Sequence, residues 1–152
     1  MASLRVDARL EALAEIGTFV LQAAGKAGLD HRTAYRLRLA VDEVATNIVV
    51  HGRPGEHGGE PTIDVEAVID PEHLTIAIED HGPAFDPLTR ERPDASELAR
   101  PLTERPFGGL GVFLAIRCVD QFRYERIGQA NRNILVVERP APADGGLQGQ
   151  AL

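Results

Sequence analysis

The chain has 152 residues, 43% of them hydrophobic, and a formal net charge of −7 from 23 acidic and 16 basic residues. That is enough sequence for one compact domain with a single core, and the acidic balance argues against nucleic acid or an anionic membrane as a partner, because both would repel it. With Cys118 as the only cysteine, no signal-peptide pattern at the N-terminus and no apolar run near the roughly 18 residues a span needs, the expectation is a cytoplasmic protein without an intrachain disulfide.

Residues 3–7 alternate and predict a short edge strand. From Leu10 to about Ala27, apolar residues recur at helical spacing (Leu10, Leu13, Ile16, Val20, Ala24), and Gly28 fits the stop. Lys26, the only lysine, lies near the end of that helix. It has neither the glycine spacing nor the following Ser/Thr of a P-loop, and the motif set of eukaryotic-type protein kinases is absent as well. Asp30 fits the N-cap of a second helix running to about Val50, with Leu37, Val41, Val44 and Ile48 on one stripe.

Residues 62–69 and 74–80 predict two strands joined by Asp70-Pro71-Glu72-His73. Period-two alternation puts Asp80 on the same face as Leu74, Ile76 and Ile78. A proline-punctuated stretch of about 82–107 follows, long enough to be a lid. Gly108-Gly109-Leu110-Gly111 then opens a third amphipathic helix, and two closing strands are expected at about 121–127 and 132–138 around a turn at Gly128-Gln129-Ala130-Asn131. The Pro-, Ala-, Gly- and Gln-rich tail from 140 reads as disordered. The element order gives an α+β domain of two layers, helices on one face of a mostly antiparallel sheet, spanning about residues 1–139.

Three segments carry chemistry. Glu43 and Asn47, four apart, share a face of the second helix, where a carboxylate and an amide can offer oxygen ligands to Mg²⁺ and a base near a phosphate. The same pair is equally at home on a solvated polar face. Asp80 ends its strand in Asp80-His81-Gly82, and a carboxylate facing an apolar layer needs a donor. The exocyclic amine of adenine is suitable, with Gly82 permitting close approach of the base. An ordinary strand-end turn is the alternative. The glycines at 108, 109 and 111 suit a loop that presents backbone N–H groups and a helix N-terminus to phosphate, although glycine-rich helix entries also occur without ligands.

Each segment is weak alone; their order is specific. Glu-x-x-x-Asn on a helix, Asp-x-Gly at a strand end, a long lid and Gly-x-Gly at a helix start resemble the Bergerat (GHKL) ATPases. The segments 39–51, 79–87 and 108–115 are in addition similar to the anti-sigma factor serine/threonine kinases of bacterial partner switching. The resemblance covers about residues 4–138. It implies that Asn47 ligands Mg²⁺, that Glu43 is the general base or water-orienting carboxylate, and that Asp80 reads the adenine amine beside Gly82. It further implies that Phe85 stands at its expected place in the loop and that Gly108, Gly109, Leu110 and Gly111 contact the phosphates of ATP. The implied activity is phosphorylation of a small anti-anti-sigma antagonist, together with sequestration of a sigma factor. An ATP-binding docking module with little transfer is the alternative, and a homodimer is left open. Position and charge alone nominate Arg105, at the end of the lid, as a cation for the γ-phosphate; a solvated lid arginine is the other reading. Ala84 replaces a second glycine common in the superfamily, which puts nucleotide affinity or lid hinging in question.

Overall fold

A computed structural model of the chain describes residues 1–51, 61–86 and 116–140. Strand β1 (Ala2–Asp7) leads through a 3₁₀ turn (Leu10–Ala12) into helix α1 (Leu13–Lys26) and helix α2 (His31–His51). Strands β2 (Thr62–Ile69), β3 (His73–Asp80), β4 (Gln121–Ile127) and β5 (Ala130–Glu138) complete the described elements. They form an antiparallel sheet in the order β1-β2-β3-β5-β4. The expected α+β architecture is therefore present. No described helix is long and apolar enough to cross a membrane.

The link between α1 and α2 follows from local chemistry. Gly28 takes φ 79°, a left-handed conformation that costs glycine little. Leu29 N donates to Ala24 O at 3.0 Å and Gly28 N to Gly25 O at 3.1 Å, so the last carbonyls of α1 are satisfied in a Schellman closure. Two residues on, Asp30 Oδ1 accepts from Thr33 N at 2.7 Å and caps α2 as its sequence position predicts.

One apolar stripe from each helix meets one face of the sheet. Ile16, Val20 and Ala24 of α1 and Leu37, Val41 and Val44 of α2 are buried against Ile63, Val65, Leu74, Ile76, Ile78, Leu135 and Val137. Cys118 is half-buried against the same core, as a small apolar residue would be. The opposite face carries charged pairs, Arg5 Nε to Asp64 Oδ1 at 2.6 Å and Arg132 to Glu66 at 3.2 Å, beside a small cluster of Ala77, Ile134 and Val136.

Arg139 closes the sheet end: its guanidinium donates to Ala27 O at 2.9 Å and to Asp70 O at 2.8 Å, while its backbone N donates to Glu72 O at 2.8 Å.

Two boundaries differ from expectation. The first helix opens as 3₁₀ over Leu10–Ala12 before α1 begins. The last hairpin turns on Gly128 and Gln129 alone, with Gly128 at φ 59°, so β5 starts at Ala130 rather than 132. A positive φ at the first central residue is what a two-residue hairpin demands. Ala130 and Asn131, expected in the turn, are thus strand residues. Beyond residue 86, the expected lid lies outside the described residues, as do the opening of the third helix up to 115 and the tail from 141.

Candidate nucleotide site

Asn47 and Asp80 are polar residues in apolar places. Asn47 follows Val44 and Ala40 on the buried stripe of α2 and is only 3% exposed. Its Oδ1 is buried and has no hydrogen-bond partner among the described residues. An acceptor left that way costs stability unless something outside the fold uses it. A hard oxygen of this kind suits Mg²⁺, which keeps several waters and takes few protein ligands. Among the described residues no three His, Cys, Asp or Glu side chains converge, so a self-contained protein cage for a metal is not present there.

Glu43, one helical turn before Asn47, is half-buried. Burial pushes its carboxyl pKa up, and the neighbouring charge of Asp42 adds to the rise. Asp42 is itself raised by burial, against the opposing effect of Arg38, whose Nε lies 3.7 Å away. A carboxylate with a raised pKa is a better proton acceptor near neutrality than an ordinary surface glutamate.

Asp80 ends β3 on the helix-facing side, 7% exposed. Its two oxygens are unequal. Oδ2 accepts from Gly82 N at 3.0 Å and from Asn131 Nδ2 at 3.2 Å, whereas Oδ1 has no hydrogen-bond partner among the described residues. Burial raises the pKa of this carboxyl, and the hydrogen bonds from Gly82 and Asn131 counteract the rise. The donors that a buried carboxylate requires are therefore partly internal, and they leave one oxygen for a ligand.

The residue that organises this corner is Asn131. Register places it directly opposite Asp80 on the β3–β5 ladder. Its Nδ2 also reaches Pro83 O at 2.9 Å and Gly82 O at 3.3 Å, while its Oδ1 accepts from Phe85 N at 3.3 Å and from the Tyr124 hydroxyl. Arg126 adds a bond to Gly82 O at 2.9 Å. The Asp-x-Gly turn is thereby held by β4 and β5. Gly82 and Phe85 are half-buried within it, while Ala84 is exposed.

Of the expected site residues, Glu43, Asn47, Asp80, Gly82 and Phe85 are described; Arg105, Gly108, Gly109, Leu110 and Gly111 lie outside the described residues. Sequence reasoning missed Asn131, Tyr124, Arg126 and Asn133. The available signal was alternation along β5, which sets Asn131 and Asn133 on the face of Leu135 and Val137, where apolar residues belong.

Over residues 6–138 the sequence matches the histidine kinase-like ATPase domain family. A serine-protein kinase RsbW from Listeria monocytogenes is 35% identical over 104 residues, which takes in 66% of this chain and 63% of that protein. The RsbW serine-protein kinase of Bacillus pumilus is 25% identical over 138 residues, 90% of this chain and 82% of that one. The chain thus spans 63% of the length of the Listeria relative. Among solved structures, the crystal structure of the RsbU and RsbW domains of Rv1364c from Mycobacterium tuberculosis aligns with 93% of this chain and 34% of its own, with a TM-score of 0.58 and 16% identity, a likeness of fold.

Proposed function

We propose, from the premise that this chain belongs to the histidine kinase-like ATPase family, that it is a Mg²⁺-ATP-dependent serine/threonine protein kinase and an anti-sigma factor. Its substrate on this reading is a small anti-anti-sigma antagonist, and its second partner is the sigma factor it holds. The observation that carries the nucleotide part is Asp80, a buried carboxylate fixed through one oxygen with the other left open to an exocyclic amine. The similarity to RsbW serine-protein kinases supports the protein-kinase part. A cytoplasmic location, and pairing with a second copy of the chain, belong to the same proposal.

In the transfer, the hydroxyl oxygen of the target bonds to the γ-phosphorus, the bond from that phosphorus to the β–γ bridging oxygen breaks, and ADP leaves. Glu43 accepts the hydroxyl proton, a role its half-burial and the nearby Asp42 favour. Asn47 is the residue that would hold Mg²⁺, which when bound neutralises phosphate charge. Gly108, Gly109, Leu110 and Gly111 would supply backbone donors to the phosphates, with Arg105 as an added cation, so the chemistry rests on positioning and charge. Incubation with Mg²⁺-ATP and the antagonist captured from the native cell is expected to yield phosphoserine or phosphothreonine on the antagonist, and Glu43→Ala to abolish it. ATP binding without any transfer would reduce the protein to a docking module. Absence of adenine nucleotide binding would remove the reading altogether.

A further inference from the structure

Asn133 is the third amide buried on the helix side of this domain among the described residues, and its carbonyl oxygen has no partner there. It is 3% exposed. It lies on β5 between Ile78 of β3 and Tyr124 of β4, two residues from Asn131 and two from Leu135 on the same face. The pattern of that face calls for an aliphatic residue here. An amide in its place has a physical purpose only if a polar group arrives from outside the chain.

The register says which group. Asp80 pairs with Asn131, and Ile78 with Asn133, so Asp80 and Asn133 are diagonal neighbours on one face. The exocyclic amine of adenine has two hydrogens. Asp80 Oδ1 has room for one, because Oδ2 is occupied by Gly82 N and Asn131 Nδ2. A carboxamide complements the remaining edge, accepting from the amine and donating to N7 of the ring, the pairing by which Asn reads adenine in nucleic acids.

We propose that Asn133 is a second base-reading residue: its carboxamide takes the N7 side of adenine while Asp80 takes the other amine hydrogen. The proposal rests on the nucleotide reading given above and adds a specificity determinant to it. Guanine fails at both places, since its O6 sets an acceptor against Asp80 Oδ1 and leaves no amine for Asn133 Oδ1.

The test is equilibrium titration of the full chain and of Asn133→Leu and Asn133→Ala with ADP and with 7-deaza-ADP, alongside thermal melts without nucleotide. The unsubstituted chain is expected to favour ADP over 7-deaza-ADP by about fivefold, the worth of one neutral hydrogen bond. Both variants should bind ADP about 25-fold more weakly, the worth of two such bonds, and no longer distinguish the two nucleotides. The melting temperature of Asn133→Leu should be unchanged or higher, because a buried acceptor without a partner is gone. Asn133→Ala should melt lower through the void it leaves, without altering the comparison of the two nucleotides. If the variants bind ADP like the parent, or weaken both nucleotides while keeping the parent's ratio, Asn133 does not read the base although the nucleotide site stands. If the parent chain binds no ADP at all, the nucleotide reading falls and takes this role with it.

Discussion

Asp80 and Asn131 face each other across the β3–β5 ladder, and Asn131 Nδ2 donates to Asp80 Oδ2 at 3.2 Å. Through the same amide, Asp80 is tied to the backbone of Gly82, Pro83 and Phe85. Replacing Asn131 by Ala is expected to release both the carboxylate and the turn. The cost to folding should be about 1–3 kcal/mol, the penalty for stranding buried polar groups. ADP affinity should fall at least tenfold, by the loss of roughly 1.4 kcal/mol or more of binding energy. Urea denaturation and calorimetric titration would read the two effects separately. A variant that binds ADP normally would show that Asn131 does not position Asp80.

The raised pKa of Asp80 sets a pH dependence. The folded protein holds the Asp80 proton more tightly than the unfolded chain does, because burial disfavours the carboxylate. Its contribution to stability is complete below the ordinary value of 3.8 and is lost as pH rises through the higher folded value. Asp80→Asn removes this slope, so relative to the parent the variant should gain stability as pH climbs through that window. Urea midpoints measured in steps from pH 3.5 to 7 would check it; a stability difference that stays flat or runs the other way would count against the assignment.

Asn47 separates metal from fold. Asn47→Leu deletes a buried acceptor that has no partner among the described residues, so the nucleotide-free domain should melt no lower than the parent. Mg²⁺ is expected to tighten ATP binding in the parent and to have no effect in the variant. A variant that keeps the full Mg²⁺ enhancement would place the metal on other residues.

Gly28→Ala tests the helix link. Nothing lies within 4 Å of the new methyl, so the penalty comes from φ 79° alone. A destabilisation of about 1 kcal/mol is expected from placing a non-glycine residue in the left-handed region. ADP affinity should not change. An unaltered denaturation midpoint would mean that the Schellman closure contributes little.

Much of this was legible in the sequence because the core is periodic. Helical and two-residue spacing located α2, β2 and β3 within a residue or so, and α1 apart from its 3₁₀ opening turn. Asp80 stood out as a carboxylate on an apolar strand face, whereas Asn47, paired with Glu43 by spacing, lies on the buried stripe of its helix. Asn131 carries the same kind of interruption but was hidden by a turn drawn four residues long, where a two-residue turn at Gly128 and Gln129 suffices. Its pairing with Asp80 depends on β5 lying beside β3 rather than at the sheet edge, and 51 residues separate the two in the chain. Periodicity within a strand carries no information about which strand is its neighbour. Asn133 was legible by parity, yet without the hydrogen-bond inventory of the fold an interior amide cannot be told from a satisfied one.

Arg139 marks where this domain can be cut. It lies one residue past β5 and would be discarded by anyone trimming to the last strand, yet its guanidinium joins the carbonyl ending α1 to the one at the β2–β3 turn. A protein shortened to residue 138 would have a loosened seam between its layers, with two carbonyls handed back to water. Truncation and tag attachment should therefore respect position 139, because the rivet sits outside the plate it fastens.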